Sequence, residues 1–423
     1  MTSSSSAVRS VSPAFAIRHA SNLIATTPSI LRSDLRTLAS SARPRILILT
    51  AGFGEGHNAA ARNLAATADR AHGLGTSLVA DLFHEASPRL NAVSRRAYLK
   101  VINKAPRLWS GFYGWVDRSR VFPRHLWFLR KEMAVLRRLL RERSPDVVLS
   151  AYPVYGFMAD RLRAKGERVP PFFNVVTDSI SINSLWTRPR CDGWFVPNSE
   201  TARAVVELGV DAQRVHDTGF PVQPFFAGEA HAFTPPDLTT GHRPRVLLML
   251  NSGTLNADKT AAILLHQTDW ELTFAVGRDP DLYNTIARLA AERKHPTTIH
   301  RWTDRIPELL CTHNAVVSKA GGATTQEAIA ARCPMIVSQI VPGQEEGNYE
   351  LLRRRGIGRH ASSPEAILAA LTEAFANKGA LCTEWRRGLG DLARPDAAAT
   401  ICGMALSMAQ IPEGKQPEKA PLA

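Results

Sequence analysis

The residues best suited to chemistry sit in glycine-rich turns. The first turn, 51–58, runs Ala-Gly-Phe-Gly-Glu-Gly-His-Asn. Gly52, Gly54 and Gly56 permit a tight turn and a close approach of backbone to ligand. His57 follows at the start of an Ala-rich helix, directed into the cleft that such a turn faces. The second turn follows the apolar run 315–317 and reads Ser318-Lys319-Ala320-Gly321-Gly322-Ala323-Thr324-Thr325-Gln326-Glu327. Thr324 and Thr325 are candidate N-caps for a helix over 326–332, with Glu327 in its first turn. Helix starts expose unpaired N–H groups and carry partial positive charge, so this turn is either a ready anion site or only the glycine-rich turn and polar loop that any βαβ unit has. Pro342-Gly343-Gln344-Glu345 forms a further polar turn, with Asn348 just beyond it. The turn 251–254 contains Gly253 and either holds phosphate on its N–H groups or is a plain β-turn. Asp178, at the end of the run 172–177, is either a second polar contact to the reacting groups or a helix N-cap.

Such turns need a rigid support. Apolar runs at 45–50, 146–150, 172–177, 193–197, 245–250, 271–277, 315–317 and 335–338 alternate with helical stretches. That is the pattern of buried parallel strands in an α/β protein. Open α/β sheets bind ligands beyond the carboxyl ends of their strands, where these turns fall. With 423 residues the chain has room for two domains. We divide it into an extension (1–44), a first domain (45–227), a Pro/Gly/Thr-rich linker (228–244), a second domain (245–410) and a polar tail (411–423). Residues beyond about 362 are helical, and Trp385 is expected to dock on the first domain. The first glycine turn also fits a dinucleotide fingerprint, with Asp81 after the run 77–80 in the ribose-carboxylate position. His57 and Asn58 oppose that fit, because a dinucleotide helix needs small residues there.

Composition limits the function classes. Hydrophobic residues make up 44% and charged residues 21%, ordinary for a globular chain, and the net charge of +14 points to an anionic partner. The five cysteines, Cys191, Cys311, Cys333, Cys382 and Cys402, have no metal-ligand spacing, which predicts reduced thiols and no metal site. No apolar run approaches the roughly 18–20 residues that span a bilayer. Residues 1–44 have no acidic residue before Asp34 and fit either an organellar transit peptide or a disordered bacterial extension. Within 89–143, fifteen Lys/Arg face three acidic residues, interleaved with Trp109, Phe112, Tyr113, Trp115 and Trp127 among other rings. Basic residues attract anionic headgroups and aromatic rings settle at headgroup depth. The same composition serves nucleic acid, or an ordinary basic helix face with its rings in the core.

SKAGGATTQEA followed by PGQEEGN resembles the donor signature of glycosyltransferase family 28, in particular the monogalactosyldiacylglycerol synthases and processive diacylglycerol glucosyltransferases. LTAGFGEGH is similar to their glycine-rich loop, with His57 matching the loop histidine. Thr177, Asp178 and Trp186 match a TD…W segment near the acceptor, with Asn183 where those enzymes carry histidine. Residues 219–225 are similar to their hinge segment, and Trp302-Thr303-Asp304 lies near a base-recognition segment.

The resemblance implies a GT-B fold, two doubly wound Rossmann-like α/β domains facing across a cleft. It implies inverting transfer of galactose or glucose from UDP-galactose or UDP-glucose to diacylglycerol, with the UDP-sugar as substrate and neither cofactor nor metal. His57 and Asp178 would be catalytic, with a capping or substrate-orienting role as the alternative for His57. The donor set would be Gly253, Ser318, Lys319, Gly321, Gly322, Thr324, Glu327, Pro342, Gly343, Gln344, Glu345 and Asn348. Within it, Glu327 would hold the ribose, while Gln344 and Glu345 would touch the sugar. Gly54, Gly56, Trp109, Phe112, Tyr113, Trp115 and Trp127 would serve the acceptor and the membrane. Expected partners are the donor, diacylglycerol and anionic lipids, and not nucleic acid. The expected location is peripheral, on the cytoplasmic face of a bacterial inner membrane rather than a plastid envelope. The rivals are another UDP-sugar glycosyltransferase or epimerase on the same fold, and a non-catalytic nucleotide-sugar-binding module.

Overall fold

The computed structural model describes residues 43–89, 129–251, 253–341 and 345–410. Trp109, Phe112, Tyr113, Trp115, Trp127, Pro342, Gly343 and Gln344 lie outside the described residues. Two six-stranded, wholly parallel sheets organise the chain. The first contains β1 (Ile46–Thr50), β2 (Ser77–Asp81), β3 (Val147–Ser150), β4 (Phe172–Val175), β5 (Gly193–Val196) and β6 (Val215–Asp217), in the order β2-β1-β3-β4-β5-β6. The second contains β7 (Arg245–Met249), β8 (Glu271–Ala275), β9 (Thr297–His300), β10 (Ala315–Lys319), β11 (Met335–Gln339) and β12 (Gly358–His360), in the order β12-β11-β10-β7-β8-β9.

The central strands ILILT, VVLS and AVVSK are apolar on both faces because helices cover both faces of a parallel sheet. The outer strands β6 (VHD) and β12 (GRH) have only three residues each, which leaves little edge to pair with another chain. In the first sheet the chain runs outward from β1 to β2, then returns to β3 on the other side of β1. In the second it runs outward from β7 through β8 to β9, then returns to β10 beside β7. A crevice opens where the sheet order reverses. Here it lies between the turns after β1 and β3, and between those after β7 and β10. The glycine turns therefore sit at the two switch points.

The last helix, Ala397–Ala409, leaves the second half and packs on the first sheet. Its Ala398, Ile401, Cys402, Ala405 and Leu406 join Ala61, Leu64 and Ala68 of helix Glu55–His72 in one buried cluster. Small residues on both helices allow the close approach. Trp385 does not dock on the first domain as expected from the sequence. It is buried among Ala315, Leu371 and Ala374 in the core of the second half. The cause is a break at 376–379, where Asn377, Lys378 and Gly379 take left-handed backbone angles. The segment before Trp385 thereby turns back along the second sheet.

The linker is pinned rather than loose. Its Ala230 and Phe233 pack on the second-half core, as do Phe225 and Phe226 just before it, and Asn314 Nδ2 donates to the Pro236 carbonyl at 2.9 Å. The described part of the basic region, helix Arg130–Arg143, turns Met133, Leu136 and Leu139 into the core. On its outer side Arg137 makes two bonds to Glu167, at 2.6 and 2.7 Å, and Arg138 pairs with Glu85 at 3.0 Å. Among the described residues no helix is long and apolar enough to cross a membrane.

Candidate active site

His57 is the third residue of helix Glu55–His72, whose N-cap is Gly54 with extended backbone and no side-chain cap bond. The imidazole is thus not a cap. Its ring folds back over the turn, so a Cβ on Gly54 would stand 3.2 Å from His57 Cδ2. A Cβ there would press on the ring, so glycine leaves the imidazole room. Thr177 Oγ1 lies 2.8 Å from His57 Nδ1, joining residues 120 positions apart. Tyr152 meets the imidazole edge-on at 5.2 Å between centroids, and Trp186 flanks it at 6.4 Å.

Asp178 is not a helix cap either. Trp186 Nε1 donates to its Oδ2 at 2.8 Å, and the Trp186 ring is wholly buried. Burial lowers the His57 pKa, partly opposed by the Asp178 charge and by a hydrogen bond with the Ala151 backbone. Burial raises the Asp178 pKa, partly opposed by His57 and by the Trp186 bond. Both directions favour a neutral imidazole, the form that accepts a proton. Asn183 caps the turn Ser184–Trp186, accepting from the Leu185 N–H at 2.9 Å, so its role here is to hold Trp186. Asp81 accepts from the N–H groups of Gly52, Phe83 and His84. Its carboxylate holds the glycine turn from below, which accounts for its position without a dinucleotide.

The helix after β10 spans Gly322–Ala330, with Gly321 as its extended N-cap. It starts earlier than the sequence suggests, and neither Thr324 nor Thr325 caps it. Two consecutive glycines carry the chain directly into the helix, which turns Thr325 into the core with an unpartnered hydroxyl. Register between β10 and β11 slips at Ser318/Lys319, a bulge that separates the buried Ser318 from the half-exposed Lys319. Lys319 Nζ pairs with Glu345 Oε1 at 2.7 Å, and the Val341 N–H donates to Glu345 Oε2 at 3.0 Å. Glu345 is therefore tied to the end of β10 through Oε1 and to Val341, just after β11, through Oε2. Asn348 Nδ2 donates to the Ala320 carbonyl at 3.0 Å, while its Oδ1 has no partner among the described residues. The Gly253 N–H donates to Asn251 Oδ1 at 3.0 Å within an exposed turn.

Glu327 is buried, and burial pushes its carboxyl up to about 7, against the lowering effect of a hydrogen bond from the Gln223 amide and the charge of Arg62. Sequence reasoning missed this link between helix Gly322–Ala330 and the segment joining the halves.

The halves meet at these turns. A Cβ on Gly56 would lie 4.0 Å from the Ala323 nitrogen, and one on Gly322 would lie 3.6 Å from the Thr177 carbonyl. Gln326 Nε2 donates to Ser179 Oγ at 3.2 Å. At Gly347 a Cβ would stand only 1.8 Å from the Ser179 carbonyl oxygen. The turn that carries His57 and the positive start of helix Gly322–Ala330 thus face one another at close range. Arg278 lies 5.6 Å over the ring of the exposed Trp302, farther along the second half.

Residues 57–222 match the family model described as monogalactosyldiacylglycerol (MGDG) synthase. A processive diacylglycerol beta-glucosyltransferase of Bacillus cytotoxicus is 24% identical over 382 residues, covering 89% of this chain and 97% of the relative. One from Bacillus subtilis is 25% identical over 379 residues, covering 89% and 98%. Among solved structures, Acinetobacter baumannii MurG matches with a TM-score of 0.56 at 13% identity, over 86% of this chain and 100% of that one. UDP-GlcNAc 2-epimerase from Neisseria meningitidis, bound to UDP-GlcNAc, matches with a TM-score of 0.53 at 12% identity, over 86% and 100%. At these identities the structural likenesses speak to fold alone. From its two facing sheets and these matches, the chain has the GT-B fold, and it is similar to the monogalactosyldiacylglycerol synthases and processive diacylglycerol glucosyltransferases.

Proposed function

We propose that this protein transfers glucose or galactose from a UDP-sugar to diacylglycerol at a membrane surface, with inversion at the anomeric carbon. The observation that carries the proposal is the apposition of the His57 turn and the Gly322–Ala330 helix start, with Gly56 and the Ala323 nitrogen at contact distance. In such a step the acceptor oxygen bonds to the anomeric carbon as the bond from that carbon to the diphosphate oxygen breaks. UDP leaves with the electron pair, and the hydroxyl proton passes to neutral His57. The first N–H groups of the helix, from Gly322 to Thr324, stabilise the departing diphosphate. Glu327 accepts the ribose hydroxyls, and Gly253, Lys319 and Asn348 line the donor side. With the helix start in that role the leaving group needs no metal, and turnover should persist in a chelator.

The lipid acceptor is supported by the names of the relatives and by the basic, ring-rich composition of 89–143. We assign the protein to the membrane periphery, on anionic lipid at the cytoplasmic face. The test is incubation with radiolabelled UDP-glucose or UDP-galactose and vesicles containing diacylglycerol, followed by separation of the lipids. Label in a glycolipid supports the proposal, and the donor that labels it identifies the sugar. Label confined to a water-soluble acceptor overturns it.

A further inference from the structure

Aromatic side chains gather beside the His57 turn, packed against the first-half core. Phe53 follows β1, Phe83 follows β2 and Tyr152 follows β3, three neighbouring strands at their carboxyl ends. Phe53 and Phe83 meet edge-to-face at 5.3 Å between centroids, and Phe83 meets Tyr152 at 5.9 Å and 90°. Tyr152 also touches Phe53 at 6.3 Å and the imidazole of His57 at 5.2 Å. Tyr155 lies wholly buried beneath, with its hydroxyl donating to the Thr50 carbonyl at 2.8 Å. Phe53, Phe83 and Tyr152 are only partly buried. They form a continuous apolar ledge that begins at the imidazole and crosses β1 toward the β2 edge. Turns at such a crevice are ordinarily polar, and a phenylalanine inside a glycine turn adds nothing to the turn itself.

We propose that this ledge is the seat of the acyl-glycerol part of the acceptor and sets the preference for a lipid alcohol over a soluble one. The inference rests on the lipid-acceptor function proposed above. Its physical ground is continuity. An alcohol whose oxygen reaches His57 must lay the atoms next to that oxygen along Tyr152, and the surface beyond Tyr152 is aromatic. Methylene groups gain from such a surface, by about fourfold in affinity for each one buried. The ledge therefore grips the first methylenes of an acyl chain, while the rest of the chain stays in the bilayer.

The test uses the full chain and diacylglycerols of six-, eight- and ten-carbon chains, presented at equal mole fraction in neutral detergent micelles so that anionic membrane attachment does not enter. Acceptor kcat and KM are measured for the wild type and for Phe83→Ala, Phe53→Ala and Phe83→Leu, with UDP affinity followed by calorimetry. Expected is a wild-type KM that falls with chain length. Phe83→Ala or Phe53→Ala should flatten that dependence and raise KM at least tenfold for the longer chains. Phe83→Leu, which restores apolar surface, should recover most of it, with UDP affinity unchanged throughout. A chain-length dependence retained in the folded alanine variants overturns the proposal, as does a wild type indifferent to chain length, or a variant that loses kcat alone. Rings that instead bind a sugar already on the lipid would betray themselves as a KM defect confined to glycosylated diacylglycerol, which also overturns it. Absence of any lipid product from the wild type would be failure of the parent function, and is distinct from all of these.

Discussion

His57 is held from several sides, by Thr177 Oγ1 at 2.8 Å, by Tyr152 edge-on and by the charge of Asp178. If it takes the acceptor proton, His57→Ala should lower turnover by about 10²–10⁴-fold with UDP affinity nearly intact. Near-normal turnover would reduce it to an orienting residue. The base must be neutral, so activity is lost as pH falls through the His57 pKa. Burial lowers that pKa, which puts the acid limb of kcat/KM below the ordinary 6.5. Asp178 opposes the lowering, so Asp178→Asn should move the limb to still lower pH; a limb that moves upward would contradict the pairing.

Glu327 obeys a different sign. Its folded pKa of about 7 exceeds its ordinary 4.5, so the folded chain binds more protons between those values. Stability should fall as pH rises through that window, by about 3 kcal/mol at most, and level off above it. Glu327→Gln should lack this slope in denaturant titrations at pH 5 and pH 8. If the ionised carboxylate accepts the ribose hydroxyls, Glu327→Ala should weaken UDP binding by about 1.5–3 kcal/mol. Unchanged UDP affinity in a folded variant would exclude that role.

At the scale of elements, the segment 178–182 joins Asp178 to the opposite half. Ile180 takes a φ of +56°, unusual for a β-branched residue, and its N–H donates to Thr201 Oγ1 at 2.9 Å. Its side chain packs on the second-half core, and the neighbouring Ser179 carbonyl lies against Gly347. The strained backbone therefore lets one segment hold Asp178 on its own side and touch the donor-turn helix Glu346–Arg355 on the other. A methyl group at Gly347 cannot fit 1.8 Å from an oxygen, so Gly347→Ala must push the halves apart or shift the helix. We expect at least a tenfold loss of kcat and a stability loss of about 1–3 kcal/mol, measured by kinetics and chemical unfolding. Wild-type values for both would mean that this contact is dispensable.

The whole molecule carries a formal charge of +14, and the stretch 89–143 concentrates fifteen Lys/Arg against three acidic residues. In helix Arg130–Arg143 part of that charge is neutralised by Glu167 and Glu85, so if the protein attaches to lipid as proposed, the stretch before that helix carries most of the attraction. We expect binding to vesicles containing phosphatidylglycerol, weak binding to neutral vesicles and partial release by salt, since the Debye length shrinks to about 8 Å at 0.15 M. Trp109→Ala with Trp115→Ala should reduce vesicle binding and leave UDP affinity unchanged. A protein that stays in the supernatant with anionic vesicles at low salt would refute the membrane assignment.

Much of the architecture was legible in the residue order, because local physics writes it there. Unbroken apolar runs such as ILILT and AVVSK specify strands buried on both faces, and glycines mark where the backbone must turn sharply. What the order of residues leaves open is decided by packing between distant segments. The Thr324 and Thr325 pattern suggested a cap, yet tertiary burial of Thr325 drew the helix start back to Gly322. Trp385 suggested a docking anchor, yet the left-handed break at 376–379 turned it inward and left the return contact to a helix of small residues. His57 and Asp178 could each have capped a helix until the fold placed Thr177 and Trp186 beside them. Asp81 could have served a ribose until its oxygens were found on three backbone N–H groups. Glu327 shows the reason most plainly. A carboxylate in a helix is ordinary by sequence, and only its removal from water against the opposite half makes its proton affinity unusual.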